Sequence, residues 1–252
     1  MHSTIWAALD GDIPVTPLNG SLHRLTESQE QVATRQLCDN LAEQSRLEEL
    51  LEEKSKPPLP EAVRGLDYLL ATPWRYPPLQ YGSRFGSPTE ASLFYGARSL
   101  DTCLAESAYY RLVLWFDMHE PPAAPLRSRH SAFQARYKTS RGLRLQNPPF
   151  SAFHDTLTHP SEYTATQQLG AAMRGFGIEA FEFCSARDPQ GGINVALFTP
   201  AALASRKVTG KTEWQCETTG AGVVFAYMGV PAKVLSFKAE SFFHDGRFPR
   251  PA

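Results

Sequence analysis

The spacing of apolar positions changes along the chain, and the changes divide it. Within the first 60 residues, the stretch from Thr26 to Lys56, "TESQEQVATRQLCDNLAEQSRLEELLEEKSK", repeats Leu37, Leu41, Leu47 and Leu51 at roughly helical intervals behind a Thr26 or Ser28 cap. That pattern predicts one or two helices. Their glutamates, Glu43, Glu48, Glu49, Glu52 and Glu53, read as a solvated face. "GSLHRL" ahead of them reads as a short strand, and "KPPLPE" ends the helical run because proline cannot donate the helical hydrogen bond. The expected organisation is a helical extension over 1–60 and a main domain over 61–252.

Beyond that boundary the runs are shorter. "ASLFYGA" predicts a strand, and "SLDTCLAESAYYRLVLWF" a helix that starts near Ser99 or Asp101 with Leu104, Ala108, Leu112 and Trp115 on one stripe. "SEYTATQQLGAAMRGFG" predicts another helix, with Leu169, Ala172, Met173 and Phe176 on its apolar face and Gly175 or Gly177 as its stop. "IEAFEF", "INVALF", "GVVFAYMGV" and "AKVLSF" are rich in β-branched and aromatic residues and bounded by Gly or Pro, which predicts strands. Strands gathered towards the end with few helices between them indicate an α+β fold with a mixed or largely antiparallel sheet.

Composition narrows the function classes. With 252 residues, 42% hydrophobic and 20% charged, the chain can bury a full core. A formal net charge of −1 gives no global attraction to polyanions, so no direct nucleic-acid role is expected. Cys38, Cys103, Cys184 and Cys216 are far apart, without a C-x-x-C pair, which argues against a zinc ribbon or a disulfide scaffold and fits a reducing cytoplasm. The opening "MHSTIWAALDGDIPV" has no basic leader, and "AGVVFAYMGV" is about half the length of a membrane span. A cytoplasmic protein without membrane contact is expected.

Common signatures are missing: there is no G-x-x-x-x-G-K-[ST], H-E-x-x-H or G-x-S-x-G. "HDTLTH" carries His154, Asp155 and His159 at a spacing that suits loop surface better than a metal site, so no metal is expected. The basic stretch 127–145, "RSRHSAFQARYKTSRGLRL", lies between proline clusters and reads as a solvated insertion loop, with phosphate or partner binding as the alternative.

One set of motifs carries chemistry. "GSRF", "FYGARSLDTCLAE" and "CSARDPQGGINVALF", with eleven positions from Arg84 to Tyr95 and eleven more to Glu106, resemble the RES domain family, toxins of bacterial toxin–antitoxin pairs. The resemblance implies a fold like the ADP-ribosyltransferases and an activity that consumes NAD by breaking its nicotinamide–ribose bond. It places Arg84, Tyr95, Glu106 and Ser185 in the active site, with Arg24 or Arg75 as the family's early arginine. It also implies a helix-turn-helix antitoxin of the Xre type that covers the site.

The residue types suit that chemistry. Departure of nicotinamide builds positive charge on the ribose, which a carboxylate such as Glu106 stabilises more in the transition state than in the ground state. A guanidinium fork such as Arg84 matches a pyrophosphate. Tyr95 can stack on a flat ring, and the Ser185 hydroxyl can bond the substrate's amide or ribose. Water, phosphate or a protein side chain could accept the ADP-ribose, so a protein ADP-ribosyltransferase stands as one alternative and a non-catalytic interaction module as another.

Overall fold

A computed structural model describes residues 4–9, 11–28, 39–54 and 56–251. Leu37 of the predicted leucine repeat and Cys38 lie outside these residues. The helices are α1 (Thr4–Ala7), α2 (Leu41–Lys54), α3 (Tyr68–Arg75), α4 (Leu100–Phe116), α5 (His154–Leu157) and α6 (Thr164–Gly175). The strands are β1 (Thr16–Glu27), β2 (Phe94–Ala97), β3 (Leu126–Arg144), β4 (Ala180–Cys184), β5 (Ile193–Leu197), β6 (Thr209–Thr219), β7 (Gly222–Tyr227) and β8 (Lys233–Lys238).

The eight strands form one sheet in the order β1-β2-β5-β4-β3-β6-β7-β8. Every pairing is antiparallel except β3 with β4. The fold is α+β, as the run pattern predicts.

A second contact closes part of the sheet. β1 also pairs with β3, from Thr16↔Gly142 to Glu27↔His130, so β1, β2, β5, β4 and β3 make a ring. Leu18, Leu22, Phe94, Phe133, Tyr137, Val195 and Leu197 pack together from the strands of that ring, and all are essentially inaccessible. The sheet therefore spans the boundary expected near residue 60: a strand from the first 60 residues completes the ring.

The basic stretch 127–145 is not an insertion loop. Nearly all of it is β3, which borders β1, β4 and β6. Of its cations, Arg127, Arg129, Arg136 and Lys138 are exposed, the last two alternating with buried Ala135, Tyr137 and Thr139, while half-buried Arg144 pairs with buried Glu182. The period of two is that of a strand; Arg136 and Lys138 share its exposed face in the second half, whereas Arg127 and Arg129, an odd number of positions away, belong to the opposite face.

Two helices flank the sheet. Ser99 caps α4, its hydroxyl accepting from the Thr102 N–H at 3.1 Å, and Leu104, Ala108 and Leu112 then pack on Trp214, Val223 and Phe225 of β6 and β7. Leu169 and Met173 of α6 join Phe85, Phe181 and Phe183 in another apolar cluster. Gly177, at φ +82°, follows the end of α6 in the left-handed region that glycine tolerates. Among the described residues no helix is long and apolar enough to cross a membrane.

Candidate active site

A cavity of about 360 Å³ opens between α4, the ends of β1, β2 and β5, and the loop before β2. Its volume falls in the range of small-molecule sites. The face of α4 turned to it carries Cys103, Glu106, Ser107 and Tyr110, which are positions i, i+3, i+4 and i+7 of one helical stripe.

Glu106 is the sole carboxylate among the residues that line the cavity. Ser185 Oγ donates to its Oε1 at 2.6 Å, and Asn194 Nδ2 donates to the same oxygen at 2.5 Å. Ser185 is itself fixed, because its oxygen accepts the N–H groups of Arg187 and Asp188 at 3.1 and 3.0 Å. With those acceptor positions filled, its one proton points to the carboxylate. The turn that carries Ser185 is pinned to the start of α4, where Thr102 Oγ1 donates to Asp188 Oδ2 at 2.8 Å. Gly192 makes that approach possible: a Cβ there would sit 2.0 Å from Thr102 Oγ1 and 2.4 Å from Asp188 Oδ2.

Three guanidiniums share the cavity with this carboxylate. Arg84 is buried; its Nη1 donates to the carbonyls of Leu157 and His159 at 3.2 and 2.8 Å, and its guanidinium lies 4.6 Å from the centre of the Tyr163 ring. "HDTLTH", read as loop surface, thus folds partly into α5 and serves as the backbone cradle of Arg84. Arg187 is also buried. Its Nη2 donates to the Pro160 carbonyl and to Tyr163 Oη, and its guanidinium sits 3.5 Å from the centre of the Tyr109 ring.

Arg24, from β1, donates to the Tyr95 carbonyl at 2.5 Å and lies over the Phe94 ring, while its Nε is buried without a hydrogen-bond partner. Burial holds its pKa below the usual arginine value, with the neighbouring Cys103 opposing the shift. Burial also pushes the Cys103 thiol up to about 12, against the pull of Arg24, so it lines the cavity as a neutral group. Among the described residues none of the three arginines forms an ion pair with a carboxylate; their charge meets carbonyl dipoles and aromatic faces. Such an arrangement leaves guanidinium charge for an anionic ligand.

Tyr95 is half-buried, and its hydroxyl is already engaged. It bonds Ser83 Oγ at 2.9 Å and accepts the Phe85 N–H at 3.2 Å, and its ring meets Phe183 edge-on. Burial raises its pKa to about 12, partly offset by those two bonds and by Arg84. Tyr95 therefore stays a neutral phenol that ties the Arg84 loop to β2.

The structure thus brings Arg24, Arg84, Tyr95 and Glu106 to one cavity, with Ser185 directly behind the carboxylate. Arg75 is elsewhere: it ends α3, its Nε donates to the Pro57 carbonyl at 2.6 Å, and it does not line the cavity. Sequence reading missed Asn194 and Arg187. Both sit in the quoted "CSARDPQGGINVALF", and a lone asparagine inside an apolar strand was the available signal, since buried amides need a partner.

A model described as the RES domain matches residues 58–218 of the chain. A search of curated proteins returned no match. Among solved structures, the chain is similar to one titled as the crystal structure of the M. tuberculosis MbcT–MbcA toxin–antitoxin complex, with 12% identity, 82% of this chain and 88% of that chain covered, and a TM-score of 0.46.

Proposed function

The chain belongs to the RES domain family, and from that membership together with the cavity we propose that it is a toxin that cleaves the nicotinamide–ribose bond of NAD. The observation that carries the reading is the lining itself: around one small-molecule-sized space stand one carboxylate whose second oxygen meets no donor among the described residues and three guanidiniums that meet no acidic partner among them.

The charge pattern suits the reaction. When the C–N bond of NAD breaks, its electron pair leaves with the ring nitrogen, which was cationic and becomes neutral. Nicotinamide therefore departs without needing a proton. Glycosides that expel an alkoxide require a second carboxyl as general acid; NAD does not, and a single carboxylate is enough. Positive charge appears on the ribose carbon instead, where Glu106 Oε2 can face it. Arg24, Arg84 and Arg187 supply charge for the pyrophosphate, and water or phosphate then adds to the ribose carbon. Tyr95 and Ser185 support Arg84 and Glu106 respectively.

Family membership also leads us to expect an Xre-type helix-turn-helix antitoxin that blocks the cavity and keeps the host cell alive. The test is an NAD time course with purified protein. Loss of NAD with release of nicotinamide is expected, abolished by Glu106→Ala or Arg84→Ala in proteins that keep their fold. Intact NAD, or a fully active and toxic Glu106→Ala variant, overturns the reading. Label from NAD that ends on protein rather than as free ADP-ribose, or its phosphorylated form, would shift the activity to protein ADP-ribosylation.

A further inference from the structure

Asn194 stands on β5, opposite Ala97 of β2 and Phe183 of β4, and lines the cavity while almost fully buried. Its partner is an acceptor-only carboxylate, which settles the orientation of the amide: nitrogen, not oxygen, faces Glu106. That nitrogen and the Ser185 hydroxyl both reach Oε1, and no donor among the described residues reaches Oε2. The asymmetry decides which oxygen is available. Oε1 is committed to the protein and Oε2 is left for the ligand.

We infer that Asn194 is a positioning residue for Glu106, which with Ser185 locks one carboxylate oxygen so that the other is presented to the sugar. Two donors from separate elements, β5 and the turn after β4, hold the carboxylate against rotation better than either alone, and each bond is charge-assisted. An amide suits the position because it donates without carrying charge at any pH. The titratable groups that line the cavity beside Glu106 are Arg24, Arg84, Arg187, Cys103, Tyr95, Tyr110 and Tyr163, and on the protein side the Ser185 turn carries Asp188, whose carboxylate accepts from Thr102 Oγ1.

The catalytic consequence rests on the proposed NAD cleavage, whereas the contact between the two side chains can be measured without it. Asn194→Asp keeps the shape and places a second carboxylate against the first, and like charges disfavour joint ionisation. Two readouts are taken on purified full-length protein: carboxyl carbon resonances of the wild type, Asn194→Asp and Glu106→Gln followed against pH, and pH profiles of NAD cleavage.

The expected result is a carboxyl titration in Asn194→Asp displaced upward by about 1 unit or more, together with an acid limb of kcat displaced in the same direction. Asn194→Ser, which restores one neutral donor, is expected to keep more kcat than Asn194→Ala, with KM within about twofold in both, since positioning acts in the transition state. An unmoved titration, or Asn194→Ala with unchanged kcat, overturns the proposal. A displaced titration in a protein that leaves NAD intact supports the contact and defeats only the NAD reading. Should Asn194→Asp fail to fold, the Asn194 side-chain amide resonance decides: Glu106→Gln must shift it, and an unchanged resonance overturns the contact.

Discussion

Ser185 and Glu106, 79 positions apart, meet across a 2.6 Å hydrogen bond in which the hydroxyl has its acceptor sites already taken by two backbone N–H groups. The serine is thereby committed as a donor. It cannot act as a nucleophile without giving up the bond that orders the carboxylate. Ser185→Ala is expected to lower kcat for the proposed NAD cleavage by roughly tenfold to a hundredfold, the worth of one hydrogen bond to a charged group, with little change in KM. Steady-state kinetics check this.

Arg24 combines a partnerless buried Nε with a pKa held down by burial. A buried charge without a carboxylate partner costs stability that a ligand anion can offset. Arg24→Met is therefore expected to stabilise the free protein by about 1–3 kcal/mol, raising Tm by several degrees, while it weakens the proposed NAD binding at least tenfold. Thermal unfolding with and without NAD measures both effects; a Tm that falls, with affinity retained, contradicts it.

Gly192 lets the Ser185 turn approach Thr102. Gly192→Ala must push the turn off the start of α4 and is expected to cost about 1–3 kcal/mol, as overpacking does. It should lower kcat as Ser185→Ala does, because the serine travels with its turn. Denaturant unfolding and kinetics on the same preparation separate the two consequences.

His130, buried in β3 beside Ser128 and the ring of Phe225, has its pKa lowered to about 4, by burial first and by Arg111 second. An unfolded chain binds a proton near the ordinary value of 6.5, whereas the folded chain resists it. Between pH 6.5 and pH 4 the unfolded state holds more protons, so stability declines as pH falls through that window. The contribution is about 3 kcal/mol in order of magnitude. Unfolding free energies at pH 7 and pH 4.5 should differ less in His130→Gln than in the wild type.

The sequence displayed its elements better than their connections. α4 was legible because Ser99 is a good cap and Leu104, Ala108 and Leu112 keep one face apolar. Glu106 and Ser185 were legible through motif residues, although nothing in their spacing shows that they touch. Asn194 was hidden for a physical reason: its role comes from β5 pairing with β4, which puts it beside the Ser185 turn, and register between strands is not written in either strand alone. β3 was misread because the arginines at its exposed positions outweighed the alternation between them. β1 was visible as a short strand, but the closure it makes with β3 is a long-range pairing that local propensity does not reveal.

That closure sets how the protein can be cut. The family match begins at residue 58, yet a chain shortened to that start would lose Arg24 and leave β3 with bare amides and carbonyls from His130 to Gly142. An open, apolar-backed strand border of this kind recruits other chains. Trimming to the matched boundaries should give insoluble aggregates rather than a smaller folded protein.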